Sequence, residues 1–127
     1  MNEILLIDDN YIDNFINKKI VAKENIADTI TVMLSPIEAL DYLANKKDRF
    51  PDLILLDIKM PQMDGFEFLI EFSKFPEFKK ANCSIVMLSS SQNIMDIATA
   101  KKNPHVIDYL IKPLDPSKLN DLLKLLV

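Results

Sequence analysis

Residues 53–57 read Leu-Ile-Leu-Leu-Asp, four apolar side chains followed by a carboxylate. Three other short, mostly apolar runs also stop at polar residues: 4–7 before Asp8, 85–88 before Ser89, and 106–111 before Lys112. Apolar runs of this length are typical of buried strands in a parallel sheet. Residues 29–34 differ, because Ile30, Val32 and Leu34 occupy every second position there. This alternation predicts an edge strand with one less buried face.

Helical patterns separate the predicted strands. After the first strand, apolar residues follow helical spacing at Ile12, Phe15, Ile16 and Ile20. Four further helices are expected to begin at polar capping residues: Ser35, Asp64, Ser91 and Asp115. We expect the helix after Ser91 to run through Lys102. The last helix carries Leu119, Leu122, Leu123 and Leu126. We assign the Ile, Leu and Phe side chains of these helices to the core, with Ile37, Leu40 and Leu43 facing inward.

Strands and helices therefore alternate five times along residues 1–127. Short links between them predict a single α/β domain, a doubly wound five-stranded parallel sheet of the (βα)5 type with helices on both faces. Two stretches, residues 45–52 and 75–83, show no regular pattern. Both are short enough to be surface loops.

The composition excludes several classes of site. Among 127 residues there is one glycine, one cysteine and one histidine. Gly65 alone cannot build a glycine-rich phosphate loop. Cys83 alone cannot form an internal disulfide or a cysteine zinc site, and His105 alone cannot form a histidine cluster. The net charge of −4 argues against nucleic acid as a direct ligand.

The chain also lacks the signals of membrane insertion and export. No apolar run approaches the roughly 18 residues that a membrane span needs, so no membrane role is predicted. The start, Met-Asn-Glu-Ile, has no signal-peptide pattern. Together with the single cysteine, this favours a cytoplasmic location.

Open parallel sheets bind ligands beyond the carboxyl ends of their strands. The polar residues expected at those ends are Asp8, Asp9, Asp57, Ser89 and Lys112. Three carboxylates in one pocket repel one another, and a bound divalent cation relieves that repulsion. Oxygen ligands of this kind suit Mg²⁺. A phosphoryl group would fit between the metal and the lysine, and an aspartate placed there can act as the nucleophile.

Each of these residues also has an ordinary structural explanation. An Asp-Asp pair after a strand commonly forms a turn or a helix cap, a lysine before proline is usually a turn residue, and a serine triplet is usually a capped loop. Tyr109 by itself is a half-buried core aromatic. The placement of the polar residues at successive strand ends favours a shared site over independent surface positions.

The complete pattern resembles the receiver domain of two-component response regulators, and more closely the single-domain receivers of the chemotaxis type. The motifs that carry the resemblance follow one another along the whole chain: Asp8-Asp9, residues 55–61 around Asp57, Asp64-Gly65, Ser89 after its strand, and residues 109–113. Each motif alone is weak, but together, in this order and spacing, they are specific.

The resemblance implies a flavodoxin-like fold with strand order 2-1-3-4-5. Asp57 would accept a phosphoryl group from a phosphohistidine. Mg²⁺ would be held by Asp8, Asp9, Asp57 and the main-chain carbonyl of Lys59. Lys112 would bind the phosphate, while Ser89 and Tyr109 would form the switch pair. The Lys112–Pro113 peptide bond is expected to be cis.

The same resemblance implies the partners. They are a sensor histidine kinase or a phosphotransfer protein as donor and a downstream protein as target, with no output domain on this chain. The protein would not be an enzyme beyond its own phosphorylation and dephosphorylation. Departures from the family pattern are serine rather than threonine at position 89, Ser90 in place of a smaller residue, and a long loop over residues 75–83. They leave the acceptor intact and concern the lifetime of the phosphorylated form.

Two alternatives compete with this reading. A degenerate receiver would serve only as a protein-binding module, but it would be expected to lose the acceptor, an acidic residue or the lysine, and all are present. A metal-dependent phosphohydrolase of the haloacid dehalogenase class also uses an aspartyl nucleophile. Such enzymes need a second acid two residues after the nucleophile, where this chain has Lys59.

Overall fold

The computed structural model describes residues 1–126; Val127, the last residue of the predicted domain, lies outside the described residues. Eleven elements follow one another in the described chain. They are β1 (Glu3–Ile7), α1 (Tyr11–Lys23), β2 (Thr29–Met33), α2 (Pro36–Ala44), β3 (Leu53–Leu56), α3 (Gly65–Ser73), α4 (Glu77–Lys80), β4 (Ser84–Ser89), α5 (Ile94–Lys101), β5 (Val106–Ile111) and α6 (Pro116–Leu125).

The five strands form one parallel sheet in the order β2-β1-β3-β4-β5, which confirms the predicted fold class and strand order. Alternate side chains of the central strands enter two cores. One core lies beneath α2, α3 and α5, and the other beneath α1 and α6. β2 is an edge strand with only partly buried side chains, as its alternation predicted. β5 forms the other edge and is less buried than its apolar sequence suggested.

Three of the predicted helix starts are confirmed. Ser35, Asp64 and Asp115 are N-caps whose side chains accept backbone N–H groups. The cap at Asp64 is reciprocal, because Glu67 accepts from the Asp64 N–H in return. The predicted cap at Ser91 is wrong. Helix α5 begins later, at Ile94, because the Asn93 side chain accepts from the Met95 N–H and ends the preceding loop.

The stretch over residues 75–83 is not wholly irregular, since it contains the four-residue helix α4. Lys80 accounts for its position. The ammonium of this buried lysine donates to the Ser73 carbonyl at 2.7 Å and pairs with Glu77, which ties the short helix to the end of α3. The stretch over residues 45–52 contains no helix or strand, as predicted.

Of the four apolar side chains predicted to face inward from helix α1, only Ile20 packs against the core, and the other three do not. The side chains of Ile12, Phe15 and Ile16 are 65%, 51% and 47% exposed, whereas Asn14 and Asn17 are buried. The reason is that Asn14 forms hydrogen bonds in the interior. The Asn14 side-chain amide donates to the Asp8 carbonyl at 2.7 Å and the Met33 carbonyl at 3.4 Å, so it satisfies main-chain groups where β1 and β2 end. The inward assignment of Ile37 is also wrong, since this side chain is 47% exposed.

Candidate functional site at the carboxyl edge of the sheet

The strand order brings the predicted site residues to one edge of the sheet. Asp8 and Asp9 follow β1, Asp57 follows β3, Ser89 ends β4 and Lys112 follows β5. Because these four strands are neighbours in the sheet, their carboxyl ends open into one pocket. Carboxylate oxygens of the three aspartates lie within 4.8 Å of one another. Asp8 and Asp57 are buried, while Asp9 lies at the exposed mouth.

Lys112 supplies the positive charge of this pocket. Its Nζ lies 2.7 Å from Asp8 Oδ2, 2.9 Å from Asp13 Oδ2 and 3.5 Å from Asp57 Oδ2. Burial alone lowers the pKa of Lys112, but the hydrogen bonds to Asp13 and Asp8 and the charge of Asp57 raise it above its ordinary value. The ammonium therefore stays charged, and it stands just beyond hydrogen-bond distance from Asp57.

Asp13 is a member of this ion-pair network that the sequence analysis missed. It lies in the first turn of α1, and its Oδ2 accepts from the Lys112 ammonium at 2.9 Å. Its position four residues after Asp9, directly past the predicted helix start, was an available signal. An acidic residue in a first turn is common for helix-dipole reasons alone, so the spacing by itself did not single it out.

Asp57 is held in an unfavourable electrostatic environment. Its Oδ1 accepts from the Ile58 N–H at 2.8 Å. Burial, followed by the charge of Asp8, raises the pKa of Asp57 to about 6, although Lys112 and the Ile58 N–H oppose the shift. A divalent cation between these carboxylates would remove that penalty, and three oxygen donors within 4.8 Å suit Mg²⁺. The residues present therefore fit a bound Mg²⁺ ion.

The start of α3 is packed directly against the residue that carries this carboxylate. The Gly65 N–H donates to the Ile58 carbonyl at 2.7 Å. A Cβ atom on Gly65 would stand 2.5 Å from the Asp57 carbonyl oxygen and 3.0 Å from Ile58 Cα. The only glycine of the chain is thus required by a close approach of two backbones. The side chain of Lys59, the next residue after Ile58, is exposed.

Ser89 and Tyr109 are joined through the loop between β4 and α5. Ser89 is 1% exposed, and its Oγ accepts from the Ser91 N–H at 3.1 Å. The Tyr109 ring is packed into the core, and its hydroxyl donates to the Ser91 carbonyl at 2.9 Å. Ser90, which lies between Ser89 and Ser91 in the sequence, is exposed. The Lys112–Pro113 peptide bond is cis, which confirms the expectation from the resemblance.

In metal-free buffer, Asp57→Asn is expected to stabilise the protein at neutral pH. The pKa of Asp57 in the fold, about 6, exceeds its ordinary value of 3.8, so ionisation opposes folding. This penalty develops as the pH rises between the two values and is complete above them. At about 1.4 kcal/mol per pKa unit, the variant should gain at most about 3 kcal/mol. Urea unfolding in EDTA at about pH 7.5 and about pH 3.5 checks both the gain and its loss in acid; equal stability at the higher pH would contradict it.

No helix among residues 1–126 is both long enough and apolar enough to cross a bilayer. This agrees with the absence of a long apolar run in the sequence. The thiol of Cys83 is buried, and burial raises its pKa to about 12, so it offers no reactive thiolate.

Comparisons with known proteins agree with the geometry. The family model for the response regulator receiver domain matches residues 4–124. A response regulatory protein of Staphylococcus epidermidis is 30% identical over 127 residues, covering 100% of this chain and 47% of that protein. Response regulator Rcp1 of Synechocystis is 29% identical over 126 residues, covering 96% of this chain and 82% of Rcp1. The chain thus spans less than half the length of the staphylococcal relative.

Solved structures also match the fold. A response regulator receiver protein from Dyadobacter fermentans superposes with a TM-score of 0.87 at 34% identity, covering 98% of this chain and 96% of that one. The family match and this structural match both extend over nearly the full sequence. Together with the 2-1-3-4-5 order of the parallel sheet, these matches show that the chain belongs to the response regulator receiver domain family.

Proposed function

We propose that this receiver domain accepts a phosphoryl group on Asp57 from a phosphohistidine of a sensor histidine kinase or a phosphotransfer protein. One observation carries the proposal: the buried Asp57 carboxylate stands 3.5 Å from the Lys112 ammonium and within 4.8 Å of two other carboxylates. An ionised carboxylate is the nucleophile that such a transfer needs. Asp57 thus has a cationic side chain beside it and belongs to a cluster of carboxylates that suits a cation.

The residues of the chain divide the work of the transfer. A carboxylate oxygen of Asp57 forms a bond to phosphorus as the bond to the histidine nitrogen breaks, and the imidazole leaves with the electron pair. Lys112 remains charged throughout and binds a phosphoryl oxygen. Asp8, Asp9, Asp57 and the main-chain carbonyl of Lys59 would hold Mg²⁺, which neutralises charge on the other phosphoryl oxygens when bound.

The direct test is phosphorylation by a small donor. Incubated with acetyl phosphate and Mg²⁺, the chain should gain one phosphoryl group in its intact mass, and peptide mapping after borohydride reduction should place it at Asp57. With EDTA instead of Mg²⁺, labelling should fall to background. No gain of mass, or a label at another residue, would contradict the proposal. A release of phosphate from generic phosphomonoesters would instead favour the phosphohydrolase alternative.

The signal is proposed to pass from Ser89 to a protein-binding surface. A phosphoryl group on Asp57 gives the Ser89 hydroxyl a charged acceptor. Rotation of the Ser89 side chain toward that acceptor would take its Oγ away from the Ser91 N–H, from which it now accepts. Tyr109 takes part through its own bond to Ser91. The surface that changes would comprise α5, β5 and α6, where a downstream protein docks. The proposed location for this exchange is the cytoplasm.

Lys59 is expected to prolong the life of the phosphorylated form. Its exposed side chain follows the acceptor by two residues, at the mouth of the pocket, where it could lie over the phosphoryl group and hinder the attacking water. Lys59→Ala should therefore speed dephosphorylation several-fold, measured as loss of the phosphorylated mass after removal of acetyl phosphate. Lys47→Ala, another exposed lysine, is the control. An unchanged half-life would mean that Lys59 simply points into solvent.

A further inference from the structure

All three hydrogen-bonding groups of Ser91 are in use, and each reaches a different element. Its N–H donates to Ser89 Oγ at 3.1 Å, at the end of β4. Its carbonyl accepts from the Tyr109 hydroxyl at 2.9 Å, on β5. Its own hydroxyl donates to Asp96 Oδ2 at 2.6 Å, in the first turn of α5. One residue of the loop therefore contacts the site, the edge strand and the helix at once.

The bond to Asp96 is a short one to a charged acceptor, which places it among the stronger hydrogen bonds of proteins. The same Ser91 Oγ accepts from the Asn93 N–H at 3.3 Å, so it also fixes the residue that caps α5. Because Asn93 is the N-cap, the Ser91 side chain, two residues before the cap, is available to bind Asp96. The beginning of α5 is thus attached to the loop by a side chain, and no second side-chain bond of this loop reaches Asp96 among the described residues.

The first turn of α5 carries an exposed apolar surface beside this attachment. Ile94 and Met95 are 80% and 71% exposed and directly precede Asp96. A displacement of Ser91 that pulls on Asp96 would change the position of both side chains. The main-chain hydrogen bonds of Ser91 to Ser89 and Tyr109 do not depend on its hydroxyl. Ser91 therefore makes two separate connections, which we call branches: its main chain connects to β5 and its side chain connects to α5.

We infer that the Ser91 hydroxyl is the positioning group that couples the state of the Asp57 pocket to the first turn of α5, through Asp96 and separately from Tyr109. The inference rests on the proposed function, because turning the Ser89 hydroxyl toward a modified Asp57 would move its Oγ away from the Ser91 N–H. It adds a residue outside the acidic pocket and assigns the responses of β5 and α5 to different atoms of that residue.

The test compares the two branches in one sample. Beryllofluoride with Mg²⁺ serves as the phosphoryl mimic, and NMR follows the Ile94 and Met95 methyl groups together with the Tyr109 ring. In the native chain all three should shift. In Ser91→Ala the Tyr109 ring should still shift, while the response of the two methyl groups should fall about fivefold, the effect expected for loss of one hydrogen bond. Ser91→Thr keeps the hydroxyl and should restore it.

Asp96→Ala breaks the same bond from the helix side and provides a second, independent variant. It should reproduce the Ser91→Ala pattern, and the double variant should add nothing further, since both changes remove one interaction. Equal methyl responses in native and Ser91→Ala protein would overturn the inference, as would loss of the Tyr109 response in Ser91→Ala. A native chain that shows no response anywhere would instead refute the proposed function, so the two failures are distinguishable.

Discussion

Asp57→Asn is expected to abolish phosphorylation by acetyl phosphate in the presence of Mg²⁺. The amide has no ionised oxygen with which to attack phosphorus, and it removes one of the three carboxylates that suit the metal. No neighbouring group replaces it, because Asp8 is already engaged by Lys112 and by the Asn10 N–H, and Asp9 lies at the exposed mouth. Intact mass after a fixed incubation should show no phosphorylated species above background.

The matched control is Asp28→Asn, which changes the net charge by the same amount at an exposed position away from the pocket. It should label like the native chain. Since Asp57→Asn is also expected to be the more stable protein in metal-free buffer at neutral pH, loss of labelling cannot be attributed to unfolding. Labelling of Asp57→Asn at the native level would remove the central claim about the acceptor.

Gly65→Ala is expected to damage the site without touching any of its side chains. The added Cβ would stand 2.5 Å from the Asp57 carbonyl oxygen, 3.0 Å from Ile58 Cα and 3.2 Å from Met87 Cε. Two of these atoms belong to the backbone, so α3 and the segment after β3 must move apart. Overpacking of this kind costs about 1–3 kcal/mol, and we expect the free energy of unfolding in urea to fall by that amount even though alanine favours helices.

The rate of phosphorylation of Gly65→Ala should fall by more than the loss of folded protein explains. Displacement of a nucleophile by about 1 Å can reduce a rate on the order of a hundredfold, and the clash is with the acceptor residue itself. Glu67→Ala is the control, because it removes the capping-box side chain from the same helical turn and adds no atom near Asp57. It should lose about 1 kcal/mol of stability and retain phosphorylation. Native stability and rate in Gly65→Ala would show that the backbones can separate without cost.

The fold and the membership of the pocket were accessible from sequence because both depend on short-range patterns. Four apolar runs stopping at polar residues indicated parallel strands, and parallel strands place their carboxyl ends together. Asp8, Asp57 and Lys112 were therefore predicted as neighbours, and the structure brings them together. The N-caps at Ser35, Asp64 and Asp115 were equally local, since a cap satisfies N–H groups within its own first turn.

Apolar spacing predicted the wrong inward side chains where main-chain carbonyl groups needed hydrogen-bond donors. Helix α1 carries an apolar face of the predicted spacing, yet Asn14 points inward, because the ends of β1 and β2 leave carbonyl groups that a side-chain amide can reach. Ser91 failed as a predicted cap for a related reason, since Asn93 caps α5 and leaves the Ser91 hydroxyl to bind Asp96. Local sequence cannot rank such competing partners.

By itself, then, the sequence determined the strands, their direction and the residues at their ends, because continuous apolar runs mark strands buried on both faces and the helices between them connect parallel strands. Only the tertiary structure decided the role of Asp13 on Lys112, the raised pKa of Asp57 and the need for glycine at position 65. These depend on distances of a few ångströms between elements far apart in the chain. Charge interactions and steric contacts act across space, and their strength is set by burial and separation that no local pattern encodes.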